Sequence, residues 1–156
     1  MTGRARSWGR RTGVGAAAPA RGEDFQRMAV LTVVANKDYL PLVRTSAMQV
    51  AALLELPLPQ VIDLRLAVDE ACTSFLAQAP RPQSEPGAAA RATLCLCYDR
   101  CVDRLRVTVR GPAPALWPAR DELGWVLLCA VAGEVHAEVV DGVGTLTLVD
   151  PLRRGA

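Results

Sequence analysis

The sequence predicts an α+β fold: a two-layer sandwich of a mostly antiparallel sheet and three helices. Three observations carry this. Short β-branched or alternating runs fall at the two ends and the middle of the chain. Two long stretches with apolar residues at steps of three and four lie between the first run and the rest. The order of elements reads β-α-α-β-β-α-β-β, so strands and helices segregate into layers. The length of 156 residues fits one domain and is enough to bury roughly two-thirds of the surface of an unfolded chain.

Met28 to Ala35, MAVLTVVA, reads as the first strand. Asp38 is placed to cap a helix, with Pro41 in the first turn, where its missing N–H costs nothing. Leu40, Val43, Ala47, Val50, Ala51 and Leu54 then form one apolar helical face. Leu56-Pro57-Leu58-Pro59 stops that helix. The second helix is expected from Gln60 to Ala79, with Val61, Leu64, Val68, Ala71, Cys72, Phe75 and Ala79 as its buried stripe. Pro80 to Ala90 is too rich in proline to be anything but a loop.

From Arg91 to Tyr98 the residues alternate, Leu94 and Leu96 against Cys95 and Cys97. Asp99 to Asp103 turns the chain, and Leu105, Val107 and Val109 continue as the second strand of a hairpin. Gly111 to Pro118 is broken by three prolines. Asp121 is expected to cap a third helix whose core face is Leu123, Val126, Leu127, Ala130 and Val131, and Gly133 ends it. Val135 to Val140 and Leu146 to Val149 are strands joined by Asp141-Gly142-Val143-Gly144.

Composition narrows the function classes. Half the residues are hydrophobic, so the chain is not disordered by composition. Net charge is +2, which argues against direct nucleic-acid binding through a broad basic surface. Residues 1–24 hold five arginines against Glu23 and Asp24, which leaves the rest close to neutral. They are expected to form a flexible basic tail ahead of a domain at 25–152. No signal segment or membrane span is legible, and a cytoplasmic location is expected. Five cysteines, an odd number, fit reduced thiols. Cys95, Cys97 and Cys101 lack the second ligand pair of a zinc site. Gly13-Val14-Gly15-Ala16-Ala17-Ala18 has the spacing of a dinucleotide loop but no strand in front of it.

There is no phosphate loop of the G-x-x-x-x-G-K-[ST] type and no nucleophile elbow. Glu70 and Ser74 stand four apart, so they share one helix face off the apolar stripe. A carboxylate and a hydroxyl so placed suit a hydrated Mg²⁺ or an oriented water. An ordinary solvated helix face has the same spacing.

The run Asp63-Leu64-Arg65-Leu66-Ala67-Val68-Asp69-Glu70-Ala71-Cys72-Thr73 resembles the N-box of the histidine-kinase-like (GHKL) ATPases. In detail it is similar to the anti-sigma factor serine kinases of the RsbW and SpoIIAB type, and most to the actinobacterial anti-sigma-F proteins. Leu42-Val43-Arg44-Thr45, Gly124 to Leu128 and Gly144 to Leu148 extend the resemblance. It implies a binding module that sequesters an alternative sigma factor of the stress-response kind. The module would act as a homodimer and release its cargo to a STAS-type anti-anti-sigma protein. The alternative it implies is an active serine-protein kinase that phosphorylates that antagonist with ATP.

By that resemblance Glu70 is the general base and Ser74 takes the place of the Mg²⁺-ligating asparagine. Gly111 is what survives of the adenine-reading D-x-G-x-G, Gly124 offers a helix N-terminus to phosphate, and Thr145 belongs to the closing strand. Arg44 is the partner contact. The adenine aspartate and the glycine-rich lid are absent, so ATP or ADP with Mg²⁺ is expected to bind weakly or not at all. Trp117 and Trp125 are candidate interface anchors, with core packing the stronger expectation for Trp125.

Overall fold

A computed structural model describes residues 24–76 and 92–153. The expected basic tail before Asp24, the loop from Pro80 to Ala90 and Ala79 of the second helix lie outside the described residues. The elements are β1 (Gln26–Val34), α1 (Leu40–Leu53), α2 (Leu58–Leu76), β2 (Thr93–Arg100), β3 (Arg104–Pro112), α3 (Leu123–Val131), β4 (Glu134–Val140) and β5 (Val143–Pro151). A 3₁₀ turn, Lys37–Tyr39, leads into α1. The sheet has the order β1-β2-β3-β5-β4, and every neighbouring pair is antiparallel.

One face of the sheet is apolar and the helices cover it. Leu94, Leu96 and Tyr98 of β2, Leu105, Val107 and Val109 of β3, and Leu146 and Leu148 of β5 are all buried. Facing them are Val43, Ala47, Val50 and Ala51 of α1 and Leu64, Ala67, Val68, Ala71, Cys72 and Phe75 of α2. Alanine at four of these ten helix positions lets the backbones come close to the sheet. Burial pushes the Cys72 thiol up to about 12, so it packs as a small hydrophobe. Cys95 and Cys97 lie on the other face, at the alternate positions of β2.

Polar groups tie the layers at specific points. Tyr98 is fully buried, and its hydroxyl lies 2.7 Å from Ser46 Oγ on α1. Ser46 gives its one proton to the carbonyl of Val43, so Tyr98 is the donor of that pair. Asp99, 3% exposed, accepts from Arg27 Nε at 2.9 Å and from Arg106 Nη2 at 3.0 Å. Burial alone would raise this carboxyl; the two guanidiniums outweigh it and hold it below the usual carboxylate range. Arg106 also lies 4.2 Å from the centre of the Phe25 ring.

Several expectations change at element ends. The cap before α1 is Asn36, whose side chain accepts from the Asp38 N–H; Tyr39 precedes the helix without a side-chain cap. The second helix begins at Leu58 instead of Gln60, because Pro59 is tolerated in a first turn. The last hairpin is tighter than expected: Asp141 and Gly142, both at positive φ, form the whole two-residue loop, and Val143 and Gly144 already pair with β4.

The third helix departs most. Glu122, with no side-chain hydrogen bond, stands at its N-cap in place of Asp121. Leu128 is its buried residue, whereas Leu123 and Val126 are exposed. The helix is apolar on nearly every side, so its period contains no polar reference from which to read the core face.

Candidate functional site

Of the residues singled out from the sequence, Glu70, Ser74 and Gly124 come together where the last turns of α2, the first turn of α3 and the segment between β3 and α3 meet. A cavity of about 170 Å³ lies there, lined among others by Glu70, Thr73 and Ser74 of α2, Trp117, Glu122, and Gly124 and Trp125 of α3; Gly111 does not line it. The i, i+4 spacing does put Glu70 and Ser74 into one site.

Glu70 is half-buried. Its carboxyl is raised, first by burial and then by the neighbouring Asp69 charge. One carboxylate oxygen stands so close to Gly124 that a Cβ there would come within 2.7 Å of it. The first turn of α3 is therefore already faced by an anion of the chain itself, the favoured sign for a helix N-terminus.

Ser74 donates to the Ala71 carbonyl at 2.7 Å and accepts from Trp117 Nε1 at 3.0 Å. Its proton and one lone pair are committed. Trp117 is 8% exposed, so it belongs to the core and is not the interface anchor that the sequence suggested. Its indole packs on Phe75, ring centres 4.6 Å apart and tilted by 33°.

Beneath these rings the sheet has no side chains. Gly111 of β3 pairs with Gly144 of β5. A Cβ on Gly144 would come within 2.8 Å of Phe75 and 3.0 Å of Trp117; one on Gly111 would come within 2.5 Å of Leu94. Two opposed glycines thus leave a shallow slot in the sheet: Phe75 and Trp117 fill it over Gly144, and Leu94 covers Gly111. Trp125 is half-buried, packs against the core and carries the Arg120 guanidinium 5.2 Å from its ring centre.

Thr145 is not in this cavity. Leu146 and Leu148 face the helices, so Thr145 faces the opposite side of the sheet, beside Arg110 and Glu138. Arg44 lies outside the cavity too. It makes a forked pair with Asp69 of α2, Nε to Oδ1 at 2.8 Å and Nη2 to Oδ2 at 3.3 Å. The sequence reading named Asp69 and Gly144 only as members of matched runs, with no role of their own, and gave Trp117 no place in the site.

The residues present do not fit Mg²⁺ with a nucleoside triphosphate. The cavity is smaller than the roughly 300 Å³ at which ligand pockets begin. Two carboxylates line it, Glu70 and Glu122, and among the described residues no lysine or arginine does. A polyphosphate there would meet like charge, and the hydroxyl at 74 is engaged. Among the described residues, no group of three or more histidine, cysteine or acidic side chains could hold a metal ion.

No family model matches the chain, and no curated protein matches it. Among solved structures it is similar to one containing the RsbU and RsbW domains of Rv1364c from Mycobacterium tuberculosis, with a TM-score of 0.62 at 17% identity. The match covers 83% of this chain and 34% of that one. The chain therefore spans about a third of that protein's length. At this identity the likeness establishes the fold alone: a sheet of five antiparallel strands with three helices. No helix among the described residues is long and apolar enough to cross a membrane.

Proposed function

We propose that this chain is a cytoplasmic anti-sigma factor. It holds an alternative sigma factor against α1 and α2, as one half of a dimer, and yields it to a STAS-type anti-anti-sigma protein. The observation that carries this reading is the run Asp63 to Thr73, which resembles the anti-sigma N-box and stands on α2 of an RsbW-like fold. Two further features support it. Leu42 and Met48 of α1 and Leu58 and Ile62 of α2 are large, apolar and exposed. Arg44 keeps 42% of its side chain accessible while Asp69 orients its fork, a suitable arrangement for sharing with a partner carboxylate. The domain is taken as 25–152.

A pull-down of the tagged chain against each sigma factor of its source organism tests the reading. Retention of one sigma factor, and its release by a STAS-type protein, is the expected result. Retention of none sinks it.

One observation favours a second reading, serine-protein kinase. Glu70 borders the cavity with a raised carboxyl, and a general base works best when its pKa approaches the working pH. Incubation with labelled ATP and the antagonist separates the two readings. Label transfer that disappears in Glu70→Ala favours the kinase; absence of transfer favours the binding module.

A further inference from the structure

The slot over Gly144, bounded on the Gly111 side by Leu94, has the features of a seat for a flat ring. Its floor is bare backbone, and a Cβ on either glycine would come within 3.0 Å of a neighbouring side chain. Phe75 supplies a ring to stack on. Ser74 Oγ supplies a hydrogen-bond acceptor for a ring N–H. We propose that this is a recognition site for a planar N–H heterocycle and that the chain keeps it permanently filled with its own indole, Trp117. By this reading a nucleotide base is excluded because a resident ring already makes its contacts.

The backbone around the indole supports a built plug. Leu116, immediately before it, has φ 60° and is 91% exposed. A leucine in the left-handed region costs about 1–2 kcal/mol, and such strain persists only where surrounding contacts over-determine it. Here the Trp117 N–H donates back to the Pro114 carbonyl at 3.1 Å. The indole is then stacked, hydrogen-bonded and nearly dry. A large apolar residue is turned out to solvent so that the next one can be turned in. The cavity left beside the indole is bordered by Glu70 and Glu122, so the unfilled part repels phosphate as well.

This deepens the proposed function by making partner holding independent of nucleotide. The two stand or fall separately: Mg·ADP binding by the wild-type protein overturns the plug and leaves sigma-factor holding intact, whereas an empty pull-down sinks the holding and leaves the plug.

The experiment is thermal unfolding of the full chain with three probes at millimolar concentration: Mg·ADP, adenine and indole. The wild-type protein should show no shift with any of them. Trp117→Gly should melt lower and be raised by several degrees with indole, and by less with adenine, because an emptied apolar cavity accepts a ring-shaped guest. Trp117→Phe, which keeps a ring in place, should respond to none. A folded Trp117→Gly that ignores indole overturns the proposal, as does a wild-type shift with Mg·ADP. Should Trp117→Gly fail to fold, acrylamide quenching in a Trp8→Phe, Trp125→Phe background decides: an indole shielded with and without Mg·ADP supports the plug, and one that becomes accessible on adding it overturns it.

Discussion

Tyr98 and Trp117 are held by the same device in two different settings. Each is an aromatic whose polar tip donates to a serine, and each serine passes its own proton to the carbonyl three residues back. Tyr98 sits in the middle of β2, with β1 and β3 on either side, and has no exposure at all. Trp117 sits on an irregular segment and borders the cavity. The first pair joins helix to sheet at the edge of the core. The second closes a hollow that could otherwise admit a guest. The device is equally complete in both, so the difference lies in what surrounds it: register fixes Tyr98, whereas stacking on Phe75 and the seat on Gly144 fix Trp117.

The largest effects should come from deleting the rings. Tyr98→Ala and Trp117→Ala are each expected to cost about 3–5 kcal/mol. Trp117→Ala should fall at the low end, because water from the adjoining cavity can enter the space. Urea unfolding monitored by circular dichroism gives both values; a larger loss at Trp117 breaks the comparison.

Next come the serines. Ser46→Ala strands the hydroxyl of the fully buried Tyr98 and should cost about 1–3 kcal/mol. Ser74→Ala strands the Trp117 N–H, which the cavity can hydrate, and should cost about 1 kcal/mol or less. Equal losses would mean that the two sites are equally dry.

Smaller again is a pH effect. The folded carboxyl of Glu70 is raised above its unfolded value. Its ionised form therefore opposes folding at neutral pH, and that opposition fades as pH falls through the raised folded value. Glu70→Gln should thus be slightly stabilising at pH 7 and should flatten the stability-against-pH curve just above the ordinary carboxylate range. Chemical unfolding across pH 4 to 8 checks this, and an unchanged curve would argue against a desolvated Glu70.

The smallest stability effect should be at Arg44. Its pair with Asp69 is partly exposed, so Arg44→Ala should cost about 0.2–1 kcal/mol. Sigma-factor retention in the pull-down should fall far more than stability does if the arginine meets the partner.

The strand positions were legible because β2, β3 and β5 alternate cleanly, and α2 because its stripe runs for five turns. That same alternation carried an overlooked signal: with Leu146 and Leu148 inward, Thr145 has to point away from the helices. Glu70 and Ser74 were legible as a pair from their spacing. The place of Trp117 was not, since Pro112 to Pro118 has no period that assigns a face. Nor was the partner of Arg44, which lies 25 residues away and is brought beside it by the packing of α1 on α2.

Asp99 has a kinetic consequence. Its two arginines sit at very different distances along the chain, Arg106 seven residues away and Arg27 seventy-two. The nearer pair can form once the β2–β3 hairpin closes, an event of microseconds. The farther one waits for a loop that encloses both long helices, and such non-local closures come late. β1 is then expected to join the sheet after the β2–β3 hairpin has formed. Its amides should exchange with deuterium ahead of those of β2 and β3, so the strand leading into the proposed partner-holding helix is also one of the two open edges of the sheet.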